Sequence, residues 1–377
     1  MAFDFITGKI AKQKSQHLYR QLHCMEALDG KYISVAGQHF VNFSSNDYLG
    51  LNNHPLINKA LIQGAERFGA SSASSSLVTG YHYAHQALEA AICDWLNKPE
   101  AMLFNSGFSA NEAVLSALGQ ENTLYLLDKL SHASIIDGAL KSNATTKRFL
   151  HNNYQQLNQL CETHTNQDKL LISEGVFSMD GDCSDVDTFV NIANSHNAMT
   201  YLDEAHSVGV LGGQGQGIGI NCDIVMATFG KALSTSGAFI ACDESLKEYL
   251  VNFSRHYIYS TAMSPAMAWA SKQAIEITQS EGWRRDKIKS LSTLFKNQLD
   301  SSIELLPTQS SIHAIVLKEE QKALSASQKL KEKGFWVTAI RPPTVAKGTS
   351  RLRITICTSH NDNDINQLAL TLNEVLV

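Results

Sequence analysis

The stretch MATFGKALSTSGAFI, Met226–Ile240, carries one charged residue, Lys231, among apolar and small neighbours. DIVMATF before it reads as a buried strand, and SGAFIAC after it reads as another. A buried, unpaired ammonium group is costly, and lysine is rarely buried without a partner. Either the head of Lys231 escapes to solvent, or something the local sequence does not contain neutralises it.

Outward from this stretch, strand and helix patterns alternate. AHQALEAAICDWLN is helical, AMLFN a strand, SANEAVLSALG a helix, TLYLLD a strand, ASIIDGALKSN a helix and TKRFLH a strand. YQQLNQLCETH, KLLISEGV, VDTFVNIANSHN and AMTYLD continue the rhythm up to residue 203. Such alternation predicts an α/β fold with a mostly parallel sheet covered on both faces. After residue 262 longer helical segments lead to short strands (IHAIVLK, FWVTAI, RLRITIC) and a last helix, a smaller α+β pattern. The expected division is 1–44 as an N-terminal helix and hairpin, 45–275 as a large α/β domain, and 276–377 as a small α+β domain. The serine-rich GASSASSSLVTG, residues 69–80, reads as a functional loop.

The 377 residues are 44% hydrophobic and 18% charged, with a formal net charge of −5. This is ordinary globular composition, without the basic footprint of a nucleic-acid binder or a polybasic membrane patch. The N-terminal segment has no apolar run of the kind that opens a secretory signal, and no stretch reaches membrane-spanning length. Seven widely spaced cysteines with no C-x-x-C predict free thiols in a reducing cytoplasm, and no metal site.

Chemistry-bearing residues recur at the ends of the predicted strands. YLDEAHSVGV ends a strand at Asp203 and His206, where ligands bind in open α/β sheets. In FNSGFSANEA, Ser106, Gly107 and Phe108 sit at a strand-to-helix turn whose free amides suit an anion, although a plain serine N-cap reads the same way. LSHASIIDG puts His132 at another such turn, and EGVFSMDGD puts Ser178 at a third. The glycines of GVLGGQGQGIG open no helix and precede no Walker lysine, so they form a flexible turn rather than a nucleotide fingerprint. Together these ends offer a helix start for a phosphate, a carboxylate for a ring nitrogen, an imidazole for a ring face and a lysine for an aldehyde. Pyridoxal 5′-phosphate (PLP) has all four features. Condensed with its aldehyde, Lys231 is tolerated between apolar strands.

The motifs FSSNDYLGL (43–51), HQALE (85–89), SGFSAN (106–111), LSHASIIDG (130–138), EGVFSMDGD (174–182), DEAHSVGVLGGQGQG (203–217) and TFGKALSTSG (228–237) resemble, in order, those of the α-oxoamine synthases. These are PLP enzymes of the aspartate-aminotransferase type, fold type I, and the resemblance spans nearly the whole chain. It implies that Lys231 is the Schiff-base lysine, Asp203 the acid at the ring nitrogen and His132 the imidazole stacked on the ring. By position it also assigns His206 and Ser178 to the ring's phenolic oxygen, Gly107 and Phe108 to amides beside the cofactor, and Thr228 to its phosphate end. Thr261 matches a phosphate contact donated by a partner subunit, which implies a homodimer. Arg20, Arg341, Thr344 and Arg353 match substrate contacts, with Arg353 clamping the amino acid carboxylate, and Asn46 and Glu174 match active-site positions. EGVFSMDGD, HYIYSTAMSP and WVTAIRPPTV point to the branch that joins L-alanine to a pimeloyl thioester, on coenzyme A or acyl carrier protein, in biotin biosynthesis. A glycine C-acetyltransferase, a fold type I aminotransferase and a non-catalytic PLP-binding protein are the rival expectations. In the loop 69–80 serines stand where relatives usually carry more glycine.

Overall fold

The structure, a computed structural model, describes residues 2–16, 18–27 and 30–377. It divides into two compact units, residues 1–45 with 179–181 and 287–377, and residues 46–178 with 182–286. The chain opens in the first with helix α1 (Phe5–Ser15), which buries none of its residues, and strands β1 (Met25–Ala27), β2 (Tyr32–Val35) and β3 (Gln38–Asn42). The β2–β3 hairpin turns on Ala36 and Gly37, both at positive φ (51° and 78°), which matches the right-handed twist of the strands it joins.

The larger unit follows with α2 (Pro55–Phe68), α3 (Tyr83–Leu96), β4 (Glu100–Phe104), α4 (Gly107–Leu118), β5 (Thr123–Asp128), α5 (Ala133–Leu140) and β6 (Thr145–Phe149). It continues with α6 (Tyr154–Thr163), β7 (Asp168–Glu174), α7 (Val186–Ser195), β8 (Met199–Asp203), β9 (Ile224–Thr228), β10 (Ala238–Cys242), α8 (Glu244–Phe253), α9 (Arg255–Tyr259) and α10 (Pro265–Ser280). Its seven strands order as β4-β10-β9-β8-β7-β5-β6, and only β10 runs against the rest. Every residue of β5 and β10 is buried, as expected of strands covered on both faces. Met102, Val114, Tyr125, Ile172 and Tyr201 belong to the core that seats α4 on this sheet. The C-terminal ends of β4, β5, β7, β8 and β9 therefore share one sheet edge, and the expected mostly parallel α/β layer is what the chain forms.

Helix α11 (Trp283–Gln298) carries the chain back to the first unit, where β11 (Ile312–Lys318), α12 (Glu320–Glu332), β12 (Phe335–Trp336), β13 (Thr338–Ile340), β14 (Ser350–Thr355) and α13 (Asp362–Leu376) complete it. Strands β11, β14 and β13 form an antiparallel sheet around a core that includes Phe43, Phe295, Leu330, Leu352 and Ile365. Strand β12 adds in parallel to β3.

Two local expectations change. The serine-rich segment is not open loop throughout, since Ser76–Gly80 forms a helical turn and Ser75 bridges to Thr261. The hydroxyl of Ser72 also donates to the carbonyl of Met263 at 2.6 Å, so these serines are fastened to the 261–263 backbone. The helical rhythm changes at residue 262, yet α10 packs on α2 and α3 inside the larger unit. Among the described residues all seven cysteines are free, and no helix is long and apolar enough to cross a membrane.

Candidate active site

Strand β9 ends at Thr228, and three residues later Lys231 places its Nζ 2.9 Å from His206 Nε2. His206 comes from the turn after β8, and its Nδ1 lies 2.6 Å from the Tyr48 hydroxyl. That hydroxyl donates to Asn46 Oδ1 at 3.2 Å. The directions agree: an ammonium donor at Nε2 leaves the Nδ1 proton for Tyr48, whose own hydrogen then goes to Asn46. The head of Lys231 thus meets a buried imidazole supplied by a neighbouring strand end.

Asp203 ends β8 and is buried. Its Oδ1 accepts from the Ala205 amide at 2.9 Å and its Oδ2 from Asn111 Nδ2 at 2.9 Å. Glu174 ends β7 directly beside it, in register with Asp203 across the strand pair. Burial, and then the charge of Asp203, push the Glu174 carboxyl well above the usual carboxylate range. Two adjacent buried carboxylates resist double ionisation. Glu174 also accepts from the backbone amide of His132 at 2.5 Å, which ties the turn after β5 to the end of β7.

His132 caps α5, where its Nδ1 accepts from the Ser134 amide at 3.3 Å and lies 2.7 Å from Ser134 Oγ. Partial desolvation lowers its pKa, with Asp203 opposing and Lys231 reinforcing, so the ring is neutral at pH 7. Phe108 presents its edge to this ring at 6.4 Å. Helix α4 begins beneath it at Gly107, capped by Ser106 Oγ, which accepts from the Ser109 amide. A Cβ on Gly107 would sit 3.7–3.9 Å from Met226 and Thr228, so the helix start and the end of β9 are neighbours. Thr228 Oγ1 donates to the Gly237 carbonyl and accepts from the Gly230 amide, holding the backbone that leads to Lys231.

A cavity of about 160 Å³ opens beside that helix start, lined by Asn105, Ser106, Ser109, Ser260 and Thr261 among others. Asn105 Nδ2 fastens the Thr261 carbonyl at 2.8 Å. Ser178 lies half-buried in the turn after β7. The larger unit thereby gathers Asn46, Gly107, Phe108, His132, Glu174, Asp203, His206, Thr228 and Lys231 around the strand ends, with Ser178 and Thr261 in adjoining turns.

Arg20, Arg341, Thr344 and Arg353 belong to the other unit. There Arg20 donates to Thr344 Oγ1 at 3.1 Å, and burial, with Arg20 as a like-charged neighbour, lowers the pKa of Arg341. Arg353 on β14 is buried and donates to Thr355 at 3.3 Å. Arg351, two residues away on the same face, is paired with Asp180. Sequence reasoning assigned no role to Tyr48, Asn111, Ser134 or Tyr201. Each lies inside or beside a stretch already singled out, but nothing local shows which distant side chain it meets.

Comparison with known proteins agrees with this geometry. Residues 38–372 match the family model for class I and II aminotransferases. The chain is 45% identical over 381 residues to the 8-amino-7-oxononanoate synthase of Photobacterium profundum, covering 98% of this chain and 96% of that one. It is 41% identical over 372 residues to that of Pectobacterium atrosepticum, with 97% of each covered. Among solved structures, a serine palmitoyltransferase from S. paucimobilis with PLP and myriocin bound superposes at a TM-score of 0.93, with 27% identity, covering 99% of this chain and 97% of that one. An 8-amino-7-oxononanoate synthase from Francisella tularensis superposes at 0.77, with 29% identity and coverage of 89% and 97%. With its strand-end lysine, acid and histidines in place, the chain belongs to the class I and II aminotransferase family and, within it, to the group of 8-amino-7-oxononanoate synthases.

Proposed function

We propose that this chain catalyses the decarboxylative condensation of L-alanine with a pimeloyl thioester, on coenzyme A or acyl carrier protein, giving 8-amino-7-oxononanoate for biotin biosynthesis. The observation that carries the reading is 40–45% identity to synthases of that activity over 97–98% of the chain. The cofactor is pyridoxal 5′-phosphate, and the residues present fit it. A buried carboxylate bonded on both oxygens, a lysine at a strand end, an imidazole at a helix cap and a capped helix start are the groups its ring nitrogen, aldehyde, ring face and phosphate require. When bound, PLP supplies an aldehyde for amines and a ring that accepts electron density.

Each side chain then has a task. Lys231 would hold the cofactor's aldehyde and move the Cα proton of alanine, with His206 as the polar partner of its amine and Tyr48 bonded to that imidazole. Asp203 would hold the ring nitrogen and favour a proton there, because an ionised carboxylate favours a cationic partner. His132 would cover the ring, its neutral state sparing the site a second positive charge. His206 and Ser178 would serve the phenolic oxygen. The amides of Gly107 and Phe108 and the hydroxyl of Thr228 would serve the phosphate end, and Thr261 would do so from a partner subunit in a homodimer. Arg353 clamps the alanine carboxylate, since a guanidinium makes two parallel charge-assisted bonds that lysine cannot copy. The pairing of Arg351 with Asp180 supports Arg353 over its neighbour for this task. Arg20, Arg341 and Thr344 contact the acyl substrate, Asn46 and Glu174 line the site, and the enzyme works in the cytoplasm.

The test is product mass spectrometry after mixing purified enzyme with alanine or glycine and a set of acyl-CoAs. A product from alanine and pimeloyl-CoA is expected, and a product from glycine and acetyl-CoA alone would replace this reading with the acetyltransferase branch. Borohydride reduction and peptide mapping should place the pyridoxyl group on Lys231.

A further inference from the structure

We propose that Asn111 is a positioning residue whose side-chain amide holds Asp203 and, through Ser134, fixes the ring proton of His132 on Nε2. This rests on the reading of Asp203 and His132 given above. Asn111 lies in the second turn of α4, Ser134 in the first turn of α5, and Tyr201 two residues before Asp203 on β8. The relative exposures of Asn111 and Ser134 are 1% and 0%. No water can replace the partners of these groups at such depth, so their mutual hydrogen bonds set their directions.

The directions follow from one charge. An ionised carboxylate only accepts, so Asn111 must turn its nitrogen toward Asp203 Oδ2, at 2.9 Å. The same nitrogen donates its second hydrogen to Ser134 Oγ, at 2.8 Å. The oxygen of the amide receives the Tyr201 hydroxyl at 2.5 Å, and reversing the amide would set that oxygen against the carboxylate. Ser134 Oγ is thereby an acceptor toward Asn111, and its own hydrogen is directed to His132 Nδ1, 2.7 Å away. The Ser134 backbone amide points at the same ring nitrogen, 3.3 Å away. A ring nitrogen facing two donors carries no hydrogen, so the proton of the neutral imidazole sits on Nε2. His132 then offers an N–H donor on its outer edge, and the acid at one end of the site and the donor at the other are set by a single amide. Glu174, by contrast, gives its Oε1 to the backbone amide of His132 rather than to Asn111.

The experiment is long-range 1H–15N spectroscopy of histidine-labelled holoenzyme, with the His132 signals assigned by their loss in His132→Asn. The wild type should show an unprotonated Nδ1 and a protonated Nε2. Asn111→Ala and Ser134→Ala should each move the ring shifts toward a mixture of tautomers. Each should also slow alanine Cα-proton exchange by on the order of 10- to 100-fold, the loss seen when a partner that orients a ligand is removed, with a smaller change in the KM for alanine. Two variants in different helices keep the test open should one fail to fold. A wild-type proton on Nδ1, or wild-type ring shifts in both variants, would overturn the proposal. The same spectra on wild-type protein stripped of PLP read the tautomer without any assumption about the cofactor, while borohydride labelling of Lys231 reads the site without the tautomer, so the two readings fail separately.

Discussion

Asp203 and Glu204 are consecutive, both buried, and they serve different regions. Asp203 closes β8, and its carboxylate turns to Asn111 and the strand ends that carry Lys231 and His132. Glu204 points the other way, as alternate residues of extended chain do. Its Oε1 accepts from the amides of Ile218, at 2.8 Å, and Gly219, and its Oε2 from the Ser207 hydroxyl. A Cβ on Gly217 or Gly219 would stand 2.5 and 2.7 Å from that carboxylate. The end of the glycine-rich turn therefore closes around Glu204, which accounts for Gly217 and Gly219 without a nucleotide. Burial pushes the Glu204 carboxyl up to about 8, against the pull of its backbone donors, with the charge of Asp203 adding to the rise. The pair teaches that burial alone does not mark a catalytic acid. What separates them is where their partners lie: Asn111 reaches Asp203 beside the strand ends that carry Lys231 and His132, whereas the amides of Ile218 and Gly219 and the hydroxyl of Ser207 enclose Glu204 within the turn that follows it.

The largest effect that sharpens this contrast is Asp203→Asn. A neutral amide cannot keep the ring nitrogen protonated, and the expected loss in alanine Cα-proton exchange is about 3 kcal/mol, or more than a hundredfold, with PLP still bound. Exchange at the wild-type rate would break the contrast at its functional end. Next is a parallel pair on β14. Arg353→Lys should raise the alanine dissociation constant by roughly tenfold, the value of one charge-assisted bond, whereas Arg351→Lys should alter it less and lower thermal stability through Asp180. An alanine titration read by the cofactor's absorbance decides between them, and a larger shift for Arg351→Lys would reverse the assignment.

Glu204→Gln tests the structural end. The folded-state pKa of Glu204 is raised from 4.5 to about 8, so the stability tied to its proton is present below pH 4.5 and is lost as pH rises through about 8. Glutamine mimics the protonated acid. The variant should keep near-wild-type exchange and lose up to about 1.4 kcal/mol per pH unit of the decline across that window, measured by denaturant unfolding at several pH values. An unchanged pH slope would show that Glu204 ionises freely.

The smallest effect concerns His151, which bridges Asp128 at 3.0 Å and Asp182 at 2.7 Å with its ring against Phe177. Burial alone would lower its pKa, but the two carboxylates outweigh it and raise it from 6.5 to about 9. The stabilising charge is thus complete below pH 6.5 and fades as pH passes about 9. His151→Gln, which keeps a donor but loses the charge, should cost about 1 kcal/mol at pH 6 and less at pH 10. An equal cost at both pH values would show that packing on Phe177, not charge, is what His151 contributes.

Much of the site was legible because α/β sheets place strand ends together. Once KLLISEGV, AMTYLD and DIVMATF read as parallel strands, Glu174, Asp203 and Lys231 had to share an edge. Ser106 and His132 were legible as residues that open helices. The partners were not. Tyr48 reaches His206 across 158 positions, and Asn111 reaches Asp203 across 92, separations that no local pattern encodes. The fastening of the serine-rich segment to the backbone at 261–263 was hidden for the same reason.

The sequence by itself determined the layered α/β class and the family, and put a lysine, an acid and histidines at the predicted strand ends, because periodicity and motif order are properties of neighbouring residues. Only the tertiary structure decided that Lys231 meets His206, that Glu204 is wrapped by glycines while Asp203 faces Asn111, and that Arg351 is paired where Arg353 bonds Thr355. Hydrogen bonds and ion pairs act over about 3 Å. Which groups come that close depends on how strands and helices stack, and stacking is settled by the packing of the whole unit.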